Sequence, residues 1–156
     1  MTVKTVKLNK LLVFIAITEL AGLFGFLLGG NPKQSYAALV KPPAAPPGWL
    51  FSVVWVALYL LIGTAAYLFS CSGPGSAKVL RLYWVQLLLN VLWSPFFWRL
   101  QFRVCAALII AALLVLNGLI FWFGRRLNRL AALLFLPYLL WLCFALYLNI
   151  GFVLLN

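Results

Sequence analysis

A single acid, Glu19, stands among 12 Lys and Arg in 156 residues, and there is no histidine. Paired carboxylates, a Ser-His-Asp set and imidazole metal ligation are therefore without material. The three cysteines, Cys71, Cys105 and Cys143, show no CxxC or ligand spacing and read as small apolar filler. What remains for chemistry is amides, hydroxyls and seven tryptophans. Gln86, Asn90 and Ser94 recur every four residues, which places them on one helical face, with Trp93 beside them. Such a stripe hydrogen-bonds either another helix or a ligand in a cavity. Asn117 and Asn149 are candidate partners of the same kind. Trp55, Trp93 and Trp141 lie deep within apolar stretches and offer flat faces for stacking. Trp49, Trp84, Trp98 and Trp122 lie near expected helix ends, where indole rings anchor at a membrane interface.

The elements that carry these groups follow from composition. Hydrophobic residues make up 67% of the chain and charged residues 8%, against roughly a quarter charged in soluble domains. A chain of this length cannot bury so much apolar surface in a core of its own. Its solvent is lipid, and the expected class is an all-α integral membrane protein. The net charge of +11 does not indicate nucleic acid, because the cations sit only between apolar segments. That is the distribution of topology signals and headgroup contacts.

Five stretches are long enough to cross a bilayer: about 11–30, 47–70, 79–98, 104–123 and 130–154. The first follows the basic MTVKTVKLNK and ends in GGNP rather than a small-x-small cleavage site, so it reads as a retained span. Short links imply an antiparallel five-helix bundle, with 1–156 as one membrane domain. Glu19 falls near mid-depth of the first span, where an ionised carboxylate costs several kcal/mol unless hydrated, paired or protonated. It is either a cavity-facing ligand or proton group, or a neutral acid bonding another helix. Ala21, Gly25 and Gly29 form a small-xxx-small face that admits a second helix closely, within the bundle or from another copy. Lys4, Lys7, Lys10, Lys78, Arg81, Arg125, Arg126 and Arg129 fall on one side, against Lys33, Lys41, Arg99 and Arg103 on the other. The positive-inside rule then puts the amino terminus in the cytoplasm and the carboxyl terminus outside.

The exception to short links is 31–46. Pro42, Pro43, Pro46 and Pro47 hold φ near −65° and remove donors, favouring a stiff extended path. Pro46 and Pro47 also suit the first turn of the next helix. This connector is expected to be an entrance or lid on the non-cytoplasmic side, with Lys41 as a solvated cation or a handle for an anionic ligand.

Taken together, ELAGLFG, KPPAAPPGWLFSVVWVALYLLIG, QLLLNVLWSPFF and LPYLLWLCFALYLNIGFVLLN resemble, in this order, the motifs of the TspO/translocator-protein family, bacterial type. The family is also known as tryptophan-rich sensory proteins or peripheral-type benzodiazepine receptors. The resemblance spans about 120 residues across all five expected spans. It implies a five-helix bundle, commonly dimeric, in a prokaryotic cell membrane, binding porphyrins such as protoporphyrin or haem with no obligatory cofactor. The pocket positions it implies are Trp55, Tyr59, Asn90, Trp93, Trp141 and Ala145, beneath a lid of Tyr36, Lys41, Pro42 and Trp49. Three functions follow as expectations: a porphyrin receptor or sensor, a light- and oxygen-dependent porphyrin degrader, or a transporter of porphyrins and other lipophiles. Two positions depart from the family pattern. Ser35 stands where the lid usually carries a tryptophan, and no cation follows Tyr147 to complete a tyrosine-then-basic sterol motif.

Overall fold

Between Leu11 and Leu28 there is one charge and no proline, so in lipid the backbone can satisfy itself only as a helix. The result is α1 (Leu8–Leu28), closed by Gly29 and by Gly30 at φ +82°. The same reasoning gives α3 (Gly48–Ser70), α4 (Ser76–Ser94), α5 (Arg103–Leu127) and α7 (Leu136–Leu155), joined by two shorter helices, α2 (Pro32–Ala38) and α6 (Arg129–Leu134). These describe residues 7–156 of a computed structural model, and no strand occurs among them. Lys4, counted above with the more basic end, lies outside the described residues.

Three expected elements are subdivided. The connector 31–46 is not all extended: α2 opens it, because Asn31 Oδ1 accepts from Gln34 N at 3.2 Å and Pro32 sits in the first turn. The stretch 79–98 is α-helical only to Ser94 and continues as a π-helical turn, Pro95–Arg99. The stretch 130–154 breaks at Phe135, since Pro137 has no N–H to continue the ladder from α6 into α7. The five expected helices are thus six α-helical segments and one π turn, and α2 adds a seventh α-helical segment in the connector.

Four stretches are long and apolar enough to cross a membrane: Leu8–Leu28, Gly48–Ser70, Arg103–Leu127 and Arg129–Leu155. Their outward positions are apolar, with Leu12, Leu23, Val53, Leu108, Val115 and Leu140 all more than half exposed. Exposed hydrocarbon on that scale identifies an integral membrane protein. Helices approach closely where side chains are absent. A Cβ on Gly63 would lie 3.1 Å from Ile15 Cα, and one on Gly25 would lie 3.2 Å from Val91 Cα. The small-residue face of α1 is thereby spent inside the monomer, against α4. The main core is built on Ile62, Phe69, Tyr83, Leu113, Phe135 and Leu142, and a second core gathers Tyr36, Phe97, Ala106, Leu148 and Phe152 under the lid.

The ends of the bundle differ. At one, Lys7 N donates to Tyr67 Oη at 3.0 Å, bringing the start of α1 to the end of α3. Here Lys78 Nζ lies 3.5 Å from the Phe123 ring centroid and Arg125 Cζ 3.7 Å from that of Trp122. The proline-rich connector covers the other end.

Candidate functional site

Four elements converge under that connector. Phe51 and Trp55 come from α3 at i,i+4 spacing, and Trp141, Ala145 and Asn149 come from α7 at the same spacing. Trp93 closes α4, and the π turn adds Phe97 and Trp98. The π turn explains why both of the latter point inward. Its Leu100 N–H reaches back five residues to Pro95 O at 2.9 Å, and the wider turn moves Trp98 onto the wall that Trp93 and Phe97 already occupy.

The rings are packed against one another. Trp93 stacks on Phe97 with centroids 5.2 Å apart, Phe97 meets Trp98 edge-on at 4.5 Å, and Phe51 meets Trp141 at 5.9 Å. Trp93 Nε1 donates to Asn149 Oδ1 at 3.2 Å, and Asn149 Nδ2 in turn donates to Ala145 O at 2.7 Å. Trp141 Nε1 is buried with no acceptor among the described residues. The cavity these side chains enclose measures about 20 Å³, room for a single water. The aromatic chamber is closed on itself.

The lid is pinned from three sides. Tyr36 is buried with its ring edge-on to Phe51, Trp98 and Phe152, and its hydroxyl donates to Pro46 O. Burial pushes the Tyr36 phenol pKa up, and Lys41 Nζ lies 5.2 Å from the centroid of its ring. Tyr147 Oη donates to Pro43 O at 2.9 Å. The Asn156 side chain clasps Val40, accepting from its N–H at 2.9 Å and donating to its carbonyl at 3.1 Å. Pro42 lies over Gly151, where a Cβ would approach within 2.6 Å of its ring.

Of the residues singled out from the sequence, Trp55, Trp93, Trp141 and Ala145 meet at this cavity. Tyr59 and Asn90 lie apart from its lining. The Tyr59 ring covers Gly22 and meets Trp55 at 5.4 Å. Asn90 belongs to a buried polar layer, donating to Gln86 Oε1 at 2.8 Å and accepting from Tyr138 Oη at 2.9 Å. Glu19 is half-buried on α1, with Oε1 shielded and unpartnered among the described residues. Tyr36, Lys41 and Pro42 are in the lid, whereas Trp49 is 66% exposed at the start of α3 and points away from the chamber. Among the described residues Asn117 bonds only its own helix, donating to Leu113 O at 2.8 Å.

Sequence reasoning missed Phe51, Phe97, Trp98 and Phe152 as walls. Phe51 and Phe97 were findable, being four residues from Trp55 and Trp93 on the same faces. Trp98 was not, because five-residue spacing shares a face only across a π turn. Instead of anchoring at the interface, as expected, it is half-buried between Tyr36 and Trp93.

Comparison with known proteins agrees with this architecture. Residues 13–155 match the model of the TspO/MBR family. The chain is 36% identical over 132 residues to the tryptophan-rich protein TspO of Chlorobaculum tepidum, covering 81% of this chain and 84% of that protein. It is 32% identical over 145 residues to the tryptophan-rich sensory protein of Cereibacter sphaeroides, covering 93% and 90%. Identity to the translocator protein of Ovis aries is 36% over 135 residues, covering 80% and 79%.

Proposed function

Because this chain belongs to the TspO/MBR family, we propose that it is a five-span membrane receptor that binds a flat, largely apolar ring system, of which protoporphyrin is the type, in the chamber beneath the lid. The fifth span in this reading is α4, which is packed between α1 and α5 and carries its Lys78 and Arg81 at the basic end. That end faces the cytoplasm, and the lid faces the opposite side. The observation that carries the reading is the convergence of seven aromatic rings, those of Phe51, Trp55, Trp93, Phe97, Trp98, Trp141 and Phe152, on one site. Aromatic faces offer a planar π-system both stacking and dispersion.

Binding requires opening. Ligand pockets hold roughly 300–1,000 Å³, an order of magnitude above the 20 Å³ seen here. The ligand must therefore take the place of ring–ring contacts such as Trp93–Phe97, with the lid lifted and then closed over it. Trading one aromatic contact for another makes this exchange inexpensive, while the Trp141 indole N–H gains the chance of an acceptor on the ligand. Sensing would lie in the difference between the closed chamber and the filled one.

Titration of the purified chain with protoporphyrin, followed by the porphyrin absorption band, tests the site. Trp141→Phe and Trp55→Phe should each weaken binding by about 2- to 10-fold, the worth of one aromatic contact. Wild-type affinity in both variants would remove this chamber from consideration.

A further inference from the structure

A second recess, roomier than the aromatic chamber, lies elsewhere. A cleft of about 350 Å³ opens between the start of α5 and the end of α7, lined by Gln101, Phe102, Arg103, Val104, Val153 and Asn156. Its polar and apolar parts are segregated by residue type. Phe102 and Val104 are 57% and 60% exposed, presenting hydrocarbon where the bundle meets lipid. Arg103 is only partly exposed, and its Nε is fully shielded from solvent with no acceptor among the described residues. Gln101, which precedes it, is held at φ +57°, a conformation uncommon outside glycine.

Charge makes this arrangement informative. A guanidinium at a membrane interface ordinarily meets a carboxylate or phosphate in bidentate fashion. The sole acidic side chain of the whole sequence, Glu19, lies in the middle of α1. It is eleven residues from the start of that helix, whereas Arg103 is at the lid end, so no side chain of this protein can serve as its counter-ion. With no acidic side chain in reach, an anion from outside can serve as its counter-ion. A source that also covers Phe102 and Val104 must carry hydrocarbon.

We propose that this cleft is a binding site for an anionic amphiphile, its oxyanion head paired with Arg103 and its hydrocarbon chain laid along Phe102 and Val104 toward the bilayer. Two sources supply a head of this chemistry, a phospholipid phosphodiester and a fatty-acid carboxylate. The site is separate from the aromatic chamber and independent of what that chamber binds. Asn156 borders it while its side chain holds Val40 of the lid, so the bound amphiphile would touch the lid's own fastening.

The full chain in neutral maltoside micelles is titrated with phosphatidylglycerol, oleate, phosphatidylcholine and inorganic phosphate, with binding read by native mass spectrometry. At least one of the first two should bind about tenfold more tightly than either of the last two, and which one does identifies the source. Arg103→Gln should lower that affinity about tenfold, the loss expected for one charge-assisted contact. Arg99→Gln, which removes an exposed cation at the same end, should leave it unchanged. Val104→Trp keeps the charge and fills the cleft, and should also abolish binding, so the test stands even if Arg103→Gln fails to fold. Wild-type affinity in Arg103→Gln or Val104→Trp would overturn the proposal. So would equal losses in Arg99→Gln and Arg103→Gln, or inorganic phosphate binding as tightly as the amphiphiles.

Discussion

Removing the Asn156 amide should loosen the lid without unfolding the bundle. In Asn156→Ala the lid loses two hydrogen bonds, Val40 N–H to Oδ1 at 2.9 Å and Nδ2 to Val40 O at 3.1 Å. Both are exposed to solvent, so each contributes toward the low end of the usual 0.5–1.5 kcal/mol. Together they amount to about 1–2 kcal/mol, which corresponds to a factor of about 5–30 in the open-to-closed ratio. Tyr36 still ties the far end of the lid to Pro46, and Tyr147 still holds Pro43. The perturbation is therefore local. Amide hydrogen exchange of Val40, measured on the whole protein in micelles, reports it directly, because protection follows the free energy of local opening. Protection at Val40 should fall about 5- to 30-fold while amides in the centre of α5 stay as they were. Unchanged exchange at Val40 would mean that the clasp contributes nothing and that lid closure rests on Tyr36 and the prolines alone. A uniform fall across all helices would show that the lid is not a separate unit.

Other consequences follow from the packing. Tyr138→Phe leaves the Asn90 carbonyl, buried in the polar layer, without its hydroxyl donor. It should cost about 1–3 kcal/mol, seen as a lower midpoint in thermal unfolding, whereas Tyr147→Phe at the exposed lid contact should move that midpoint far less. Gly25→Val forces α1 off the α4 backbone, since even a Cβ would lie 3.2 Å from Val91 Cα. It should destabilise by roughly 1–3 kcal/mol, the cost of overpacking, and an unchanged midpoint would refute the close α1–α4 approach. The Tyr36 phenol has its pKa raised by burial, so its neutral form is favoured when the lid is closed. That contribution is fully present below the free tyrosine value of about 10 and is lost as pH rises through the higher folded value. Proteolytic nicking of the lid should thus be constant from neutral pH to about 9 and rise only above 10; a rise near neutrality would exclude Tyr36 as its cause.

Much of this architecture is legible in residue types alone. Lipid offers no hydrogen bonds, so an uncharged stretch of twenty residues has little choice but to be helical, and segments placed by apolar length agree with the helices to within a few residues. Periodicity also puts Gln86, Asn90 and Ser94 on one buried face, and Gly25 where two helices meet, since four-residue spacing shares a face in any α-helix.

What spacing cannot convey is where one helix departs from regularity and which neighbour faces it. The π turn at Pro95–Arg99 shifts Trp98 by part of a turn, and that shift alone converts an expected interfacial anchor into a wall of the chamber. The closed lid depends on Val40 meeting Asn156, 116 residues apart, and on Tyr36 finding Pro46, contacts fixed only when all the helices are assembled. The sequence by itself determined the solvent, the helices and the supply of aromatic rings, because these depend on local composition and period. Tertiary structure alone decided that seven of those rings close upon one another beneath the proline-rich lid, and that Arg103 is left without an acid, because both depend on the faces that distant segments turn to each other.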